Sequence, residues 1–292
     1  MPSLSEWSVH LVIGLSFGLL LFLLASGFTL TFGLARFVNL AHGAVFLVAS
    51  YTAAEVAVQT GNYALGLAAA VVVGTITSTL LYLLASLNWA KVSGDHLTQV
   101  LLTFGFLLIL SELASIRWGG LPKTMPAPSG LGGSVKMLGA TFPVFRFFVM
   151  GAALVLAGGI YLLQNKTRFG ALVRAGVDDR ESLEAMGVRT EPLSVAVFAL
   201  SGALAGAAAG LGAPVLSASM GQEFTVLVFA LVVVVLGGLG SLGGAFVAAI
   251  AVGLADAIGK AVIPEFGEFT MMGLVVVVLA WRPAGLFGRS TA

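Results

Sequence analysis

The sequence lacks several features that common classes of protein need. It contains no cysteine, which excludes disulfides, thiolate chemistry and cysteine-ligated metals. Its three histidines, His10, His42 and His96, lie too far apart to suggest a set of metal ligands. Charged residues make up only 9% of the 292 residues, against roughly 25% in soluble globular proteins. There is no block of basic residues, so nothing indicates a nucleic-acid partner.

Apolar residues dominate instead, at 59% of the chain, with a mean hydropathy of +1.06. A helix of about 20 apolar residues crosses the hydrocarbon core of a bilayer and satisfies its own backbone hydrogen bonds there. The apolar runs lack the alternating polarity of barrel strands. We therefore predict an all-α integral membrane protein in which residues 1–292 form one transmembrane domain. About nine transmembrane helices (eight to ten) are expected, at residues 9–35, 38–59, 63–87, 96–114, 144–164, 192–216, 224–240, 243–262 and 269–281.

The basic residues indicate the orientation, because cytoplasmic loops carry an excess of lysine and arginine. With the N-terminus outside and the C-terminus inside, nine of the fourteen basic residues lie on the inner side. The loop at 115–142 then lies on the outer side; it is the periplasmic loop if the membrane is a bacterial inner membrane. The N-terminus shows neither the basic segment nor the cleavage site of a signal peptide, so we expect the first span to stay in the membrane. The inner set is Arg36, Lys91, Lys166, Arg168, Arg174, Arg180, Arg189, Arg282 and Arg289; the outer set is Arg117, Lys123, Lys136, Arg146 and Lys260.

Residues 165–191 interrupt the apolar sequence with a polar segment that holds ten of the twenty-seven charged side chains. Asp178 and Glu181 have the spacing of a capping box at a helix start. Gly187 suits the left-handed position that ends a helix. We therefore predict a short helix over 179–186, preceded by a second helical turn. Two interpretations are open: a docking surface for a partner in the aqueous phase, or a solvated amphipathic loop on the lipid headgroups.

Two junctions between apolar segments are short and rich in small residues: R36-F-V-N-L-A-H-G43 and G237-G-L-G-S-L-G-G244. They align weakly with each other, as in two loosely repeated halves. Paired, Gly-interrupted segments in the two halves of a transporter indicate its translocation path, since unwound backbone is tolerated where it lines a cavity. The other interpretation is two tight helix–helix turns. Asn39 and His42 could contact a substrate or only cap helix ends.

A few charged residues fall in or near the predicted spans, where a charge is costly and is usually paired or functional. Asp256 and Lys260 are four residues apart, the helical spacing at which opposite charges meet. Together with Glu55 and Glu112 they lie near outer helix ends, so we expect them to reach the membrane interface; a proton relay is the alternative. The segment G253-L-A-D-A-I-G-K-A261 fails as a phosphate-binding loop in its spacing and its last residue. We therefore expect no catalytic, nucleotide or metal site.

Four motifs, in order along the chain, resemble one family. The segment T29-L-T-F-G-L-A-R-F-V-N-L-A-H-G-A-V-F-L-V-A-S-Y51 is similar to the signature of the LivH-type permeases of branched-chain amino-acid ABC importers. T167-R-F-G-A-L-V-R-A175 with D178-D-R-E-S-L-E-A-M-G-V188 resembles the cytoplasmic loop of that family. V235-L-G-G-L-G-S-L-G-G-A245 and the closing W281-R-P-A-G-L-F-G288 complete a resemblance that covers nearly the whole chain.

This resemblance implies a permease subunit of the bacterial inner membrane, surrounded by lipid. Its implied partners are a second, LivM-like permease or another copy of itself, two cytoplasmic ATPase subunits and a periplasmic binding protein. The chain would bind no cofactor, since ATP and Mg²⁺ belong to the ATPases. The 165–191 loop would couple to the ATPase through Arg168, Gly170, Arg174, Ala175, Asp178, Asp179, Arg180, Glu181, Ala185 and Gly187. The translocation path would follow the breaks at Asn39, His42, Gly43, Gly237, Gly238, Gly240, Ser241, Gly243 and Gly244.

Other functions are open on the residues alone. An ion-driven secondary carrier would need a buried ionic site, and a passive channel would not need a capped docking helix. An enzyme embedded in lipid would need clustered histidine or acidic residues. Among substrates of this importer class we predict branched-chain or other hydrophobic amino acids, with urea, short amides and aromatic acids as alternatives.

Overall fold

The computed structural model describes residues 4–35, 37–87, 96–137, 139–262, 267–282 and 285–287. Over these ranges the chain forms eleven helices and one two-stranded hairpin. The elements are α1 (Leu4–Ala35), α2 (His42–Thr60), α3 (Tyr63–Ser86), α4 (His96–Trp118), β1 (Ser134–Met137), β2 (Ala140–Pro143), α5 (Val144–Lys166), α6 (Arg168–Asp178), α7 (Arg180–Ala185), α8 (Thr190–Leu216), α9 (Gln222–Gly237), α10 (Leu242–Val262) and α11 (Gly267–Trp281).

The prediction of an all-α membrane protein is confirmed, and each of the nine predicted spans coincides with a helix. Six helices are long and apolar enough to cross a membrane: α1, α3, α4, α5, α8 and α10. The apolar helices α9 and α11 are shorter. Helix α2 begins at His42, four residues later than predicted, because the backbone before it is not helical.

Helices α1 and α8 form the centre of the molecule. In each of them 72% of the most apolar window is buried, compared with 22% in α4 and 17% in α5. Helix α1 packs against α5, α8, α9 and α10, whereas α8 packs chiefly against α3. The two central helices therefore hold the bundle together, and α4 and α5 present apolar faces outward.

Small residues allow α8 to approach α3 closely, as the glycine- and alanine-rich 202–210 segment predicts. A methyl group added to Gly202 would lie within 3.0 Å of the Gly74 carbonyl oxygen on α3. One added to Gly206 would meet Ala70 at a similar distance. Helices in lipid associate largely through such close van der Waals contact, because lipid tails are as apolar as their side chains.

The 115–142 loop contains structure that the sequence did not predict. Strands β1 and β2 pair in antiparallel register, with Ser134 opposite Pro143. Upstream, Lys123 and Ala218 exchange two backbone hydrogen bonds of 2.9 and 2.8 Å, which join the loop to the α8–α9 connection. Met125, in the same loop, is buried. The loop thus covers one end of the helix bundle.

Candidate functional site

The polar segment 165–191, called here the polar hairpin, folds as two consecutive helices, α6 and α7. The Thr167 hydroxyl oxygen accepts a hydrogen bond from the Gly170 backbone N–H at 3.2 Å and so caps the start of α6. Helix α6 buries Gly170, Val173 and Gly176 and exposes its charged face. It is a full eleven-residue helix rather than the single turn that the sequence indicated.

The cap of α7 differs by one residue from the prediction. Asp179, not Asp178, occupies the capping position, and its carboxylate accepts from the Ser182 backbone N–H at 3.0 Å. Asp178 ends α6, while Glu181 lies exposed in the first turn of α7. The prediction that Asp178 and Glu181 form a capping box was therefore wrong. The reason is that α6 extends far enough to include Asp178. The non-helical residue between the two helices is therefore Asp179, and this residue caps α7.

The predicted left-handed end of α7 is confirmed at Gly187, whose φ is +84°. The Gly187 N–H donates to the Glu184 carbonyl oxygen at 2.9 Å, and the Val188 N–H donates to the Leu183 carbonyl oxygen at 3.3 Å. These two bonds form a Schellman motif, which satisfies carbonyls that the helix end leaves open. No atom lies within 4 Å of a methyl group placed on Gly187, so only the backbone conformation requires glycine.

A polar cluster that the sequence analysis missed fastens α7 to the start of α8. Arg180 Nε contacts Glu184 Oε1 at 3.0 Å, and the Thr190 hydroxyl donates to the same oxygen at 2.5 Å. The Arg180 guanidinium also donates to the Thr190 hydroxyl at 3.0 Å. The hydrogen bonds from Thr190 and then from Arg180 lower the pKa of the Glu184 carboxyl below its usual value. The i, i+4 spacing of Arg180 and Glu184 is the sequence signal that could have found the pair.

The ten predicted coupling residues divide by position. Gly170 is buried against Gln164 and Ala175 is half-buried, so both contribute to the packing of the hairpin. Arg180 is half-buried because it belongs to the cluster with Glu184. The other seven are exposed: Arg168, Arg174, Asp178, Asp179, Glu181, Ala185 and Gly187. Met186, which is not one of the ten, lies among them in the sequence and is 70% exposed.

The buried face of the polar hairpin lies on the end of α1 and on the turn between α9 and α10. A methyl group on Gly33 of α1 would lie 3.3 Å from Val177 Cγ2 and 3.6 Å from the Gly240 Cα. One on Gly240 would lie 3.8 Å from Val177 Cγ1. Gly176 faces the Leu34 side chain in the same way. Val177 therefore contacts both helix ends at a point where they nearly touch.

The first helix break, residues 37–41, is buried inside the bundle. Phe37 packs edge-on to Phe198 of α8 at a ring distance of 5.8 Å. The Thr103 hydroxyl of α4 donates to the Val38 carbonyl oxygen at 3.1 Å and accepts from the Leu40 N–H at 3.2 Å. The non-helical backbone is thus satisfied by a neighbouring helix, as unwound segments within a membrane must be.

His42 is fully buried and joins three helices. Its Nε2 donates to the Leu24 carbonyl oxygen of α1 at 3.0 Å, and its Nδ1 lies 3.5 Å from the Ser201 hydroxyl of α8. Leu24 lies eleven residues from the end of α1, or about 16 Å along the helix. Helix α2 therefore starts deep in the bundle, and His42 fixes its position.

Asn39 and Gly43 contribute to the break in different ways. Asn39 is 1% exposed, and in the part of the chain that the structure describes neither Nδ2 nor Oδ1 has a hydrogen-bond partner. It does not cap α2, which has no side-chain cap. At Gly43 an added methyl group would lie within 3.0 Å of the Glu223 carbonyl oxygen. Glycine thus allows α2 to touch the first turn of α9.

The second break is a tight turn between α9 and α10. Gly238 and Gly240 have positive φ angles of 94° and 81°. A methyl group on Gly244 would lie within 3.0 Å of the Gly237 carbonyl oxygen, so the two helix ends need glycine at both positions. Ser241 Oγ caps α10 by accepting from the Gly244 N–H at 3.1 Å. Gly243 has no atom within 4 Å of an added methyl group and lies beside this contact.

The closing motif of the chain caps the same turn. The Leu286 N–H donates to the Leu236 carbonyl oxygen at 2.7 Å, and the Phe287 N–H donates to the Gly237 carbonyl oxygen at 3.2 Å. Gly285 lies against the backbone of Gly238. These bonds satisfy carbonyls that the end of α9 would otherwise leave open. Among the described residues no group of three histidine or acidic side chains could hold a metal ion.

Comparison with known proteins identifies the family of the chain. Residues 10–280 match the family described as "Branched-chain amino acid transport system / permease component". The chain is 26% identical to the high-affinity branched-chain amino acid transport system permease protein BraD of Pseudomonas aeruginosa, over 99% of this chain and 98% of BraD. It is 24% identical to LivH of Escherichia coli, a permease protein of the same description, over 94% of each chain. It is also 24% identical to the corresponding LivM of Escherichia coli, over 90% of this chain and 67% of LivM.

No solved structure matches the chain significantly. The family match nevertheless runs from the first helix to the last and includes the buried break at 37–41, the polar hairpin and the turn between α9 and α10. The resemblance predicted from the four sequence motifs is therefore confirmed: this multi-pass membrane protein belongs to the permease family of branched-chain amino acid transport systems.

Proposed function

We propose that this chain is one permease subunit of an ATP-binding-cassette importer that moves branched-chain and other hydrophobic amino acids across the bacterial inner membrane. The family and the helical bundle support a transport role. One observation carries the rest of the proposal: the polar hairpin lies directly on the end of α1 and on the α9–α10 turn, through Val177, Gly33 and Gly240. A partner that displaces the hairpin would thereby displace both helix breaks.

In the topology that we propose, nine helices span the membrane, with the N-terminus outside and the C-terminus inside. The excess of basic residues on one side supports this orientation. It makes the polar hairpin cytoplasmic and the 115–142 loop periplasmic. Three of the inner basic residues, Arg36, Lys91 and Arg289, lie outside the described residues.

The mechanism we infer is alternating access. ATP binding draws two cytoplasmic ATPase subunits together, and the exposed face of the polar hairpin follows the ATPase to which it is docked. The hairpin then moves α1 and the α9–α10 turn, which opens the path towards a periplasmic binding protein that delivers the amino acid. Hydrolysis resets the assembly. Because ATP and Mg²⁺ are held by the ATPases, this chain needs no cofactor of its own.

The second permease of the complex is, we propose, a LivM-like chain. This chain matches nearly all of LivH but covers only 67% of LivM, which supports a LivH-like place in such a pair. A pair of identical copies is the alternative. The names of the relatives favour branched-chain amino acids over urea, short amides or aromatic acids.

An ion-coupled carrier has less support. Of the four charged residues considered for a proton relay, Glu55 is paired with Arg117 at 2.9 Å and Asp256 with Lys260 at 2.8 Å. Glu112 lies exposed on α4. Paired and exposed carboxylates do not form a continuous relay through the bundle.

Assembly and transport together test the proposal. The chain, co-expressed with candidate permease, ATPase and binding-protein genes, is purified through a tag on the ATPase and placed in proteoliposomes. We expect the permease to co-purify, and labelled leucine uptake to require ATP, both ATPases and the binding protein. Leucine uptake by the chain alone, driven by a proton or sodium gradient, would refute the proposal.

A further inference from the structure

A second candidate site lies away from both helix breaks and the polar hairpin. It is a cavity of about 460 Å³ between α1, α5, α8, α9 and α10. Pockets for small molecules typically measure about 300–1,000 Å³. The helix ends that meet here are the starts of α1, α5 and α9 and the ends of α8 and α10, on the side that we propose is periplasmic. Its key lining residues are Phe17, Arg146, Gln222, Phe229, Asp256 and Lys260.

One wall of the cavity is apolar. Phe17 and Phe229 meet edge to face, with ring centres 5.3 Å apart. Leu20 and Val226 extend this surface. An aliphatic side chain placed against these residues would leave water for an apolar surface, which is favourable at about 25 cal/mol per Å².

Two residues of the lining each carry a buried hydrogen-bond acceptor that the described part of the protein leaves unused. Asp256 is only 6% exposed, and its Oδ2 accepts from Lys260 Nζ at 2.8 Å. Its buried Oδ1 has no hydrogen-bond partner among the residues that the structure describes, and neither has the buried Oε1 of Gln222. Buried polar atoms nearly always have a partner, and the two residues that carry these atoms, Asp256 and Gln222, both line this cavity, which points to a ligand that donates hydrogen bonds. Asp256 is thus buried within the bundle, while its partner Lys260 is exposed.

Two cations line the same cavity. The Arg146 guanidinium donates to the Ser16 hydroxyl at 2.9 Å. A guanidinium carries five N–H donors, so this single bond holds Arg146 in place while others stay available. Lys260 brings a second positive charge through its contact with Asp256. The cavity thus combines donors for an anion, acceptors for a cation and an apolar wall.

We propose that this cavity is a binding site for a zwitterionic α-amino acid with an aliphatic side chain. Asp256 Oδ1 and Gln222 Oε1 receive the α-ammonium group, and Arg146 and Lys260 receive the α-carboxylate. The side chain lies against the wall of Phe17 and Phe229. The inference rests on the proposed transport function and adds to it. With this site the permease itself selects the amino acid, after the binding protein has released it.

A binding experiment on the assembled transporter, without binding protein, tests the two charge contacts. Saturation-transfer NMR in nanodiscs compares L-leucine with 4-methylpentanoate, which lacks the ammonium, and 3-methylbutylamine, which lacks the carboxylate. We expect each analogue to bind about tenfold more weakly or worse, since each loses a hydrogen-bonded charge. Equal signals from all three probes would overturn the site. The site would also be overturned if phosphatidylethanolamine in the nanodiscs abolished the leucine signal and phosphatidylglycerol did not. The cavity would then hold a lipid headgroup.

Two variants separate this inference from the proposed function. Asp256→Asn keeps the shape of the carboxylate and removes its charge, and Gln222→Leu removes the acceptor. Glu112→Gln, an exposed carboxylate outside the cavity, is the matched control. With saturating binding protein we expect leucine uptake to fall about tenfold in both cavity variants, while ATPase stimulation and the control stay within about twofold. Normal uptake in both variants would overturn the site alone, whereas absent uptake in the unmodified complex would overturn the proposed function.

Discussion

Gly43 offers the sharpest test of how the first helix break works. It lies in the first turn of α2, where an added methyl group would meet the Glu223 carbonyl oxygen within 3.0 Å and Leu227 Cβ at 3.0 Å. The Glu223 oxygen belongs to helix backbone, so it cannot rotate away as a side chain would. Carbon and carbonyl oxygen ordinarily stay about 3.3 Å apart or more. Gly43→Ala must therefore push α9 away from α2 by about 1 Å.

The energetic cost follows from this crowding. Overpacking of a close interface destabilises proteins by about 1–3 kcal/mol. For a chain of this length that corresponds to a fall in the melting temperature of roughly 2–10 °C. Gly105→Ala on α4 is the matched control, because no atom lies within 4 Å of the added methyl group. We expect that variant to stay within about 0.5 kcal/mol of the unmodified protein.

The assay compares the two variants in the assembled transporter. Thermal loss of monodispersity gives the melting temperature, and leucine uptake and ATPase activity are measured well below it. We expect Gly43→Ala to assemble, to melt earlier, and to lose uptake while ATP hydrolysis without binding protein rises. Equal melting temperatures and equal uptake for Gly43→Ala and Gly105→Ala would refute the argument that α2 and α9 must touch.

Three further predictions concern the polar hairpin and the orientation. Gly187→Val combined with Arg174→Glu should reduce ATPase co-purification, because valine is strained at φ +84° and an exposed charge is reversed; unchanged co-purification and uptake would show that the hairpin is only a connector. Single cysteines at Ser129 and Ser182, both exposed, should react with an impermeant maleimide from opposite sides of the membrane; labelling of both from the periplasm would refute the nine-span topology. The lowered pKa of Glu184 means that its contribution to hairpin stability is present above the ordinary value of 4.5 and is lost as the pH falls through the lowered value. The protection factors for hydrogen exchange in α7, which are corrected for the intrinsic exchange rate at each pH, should therefore fall below about pH 4.5 in the unmodified chain and not in Glu184→Gln, and equal pH profiles would contradict this.

The positions of the apolar helices were predictable because composition decides them. An apolar run of about 20 residues has few alternatives to a membrane helix, and a helix lies at each of the nine predicted positions. Their ends were less predictable. Helix α2 starts at His42 because a buried hydrogen bond to Leu24 holds it there, and that partner lies eighteen residues earlier in the chain. Contacts of this kind are set by tertiary packing and leave no local pattern.

The candidate site was predictable as segments rather than as roles. At Asp178 and Asp179 either aspartate can cap a helix, and only the length of α6 decides between them. Gly170 belongs to the same motif as the exposed residues Arg168 and Arg174, yet it is buried within the hairpin. The acceptors of Asp256 and Gln222 that lack a hydrogen-bond partner could not be predicted from the sequence. Whether an atom has a partner depends on all the groups that the fold places around it.

The geometry also explains why one polar hairpin can act on two distant parts of the chain. Gly33 precedes the break at 37–41 by one helical turn, and Gly240 lies within the break between α9 and α10. Their backbones approach so closely that a side chain on either would meet the other, and Val177 contacts both. Packed interiors transmit a displacement because they have little room to absorb it. We therefore expect a shift of α6 along its axis to move α1 and the α9–α10 turn together, which is the concerted motion that the proposed alternating-access mechanism requires.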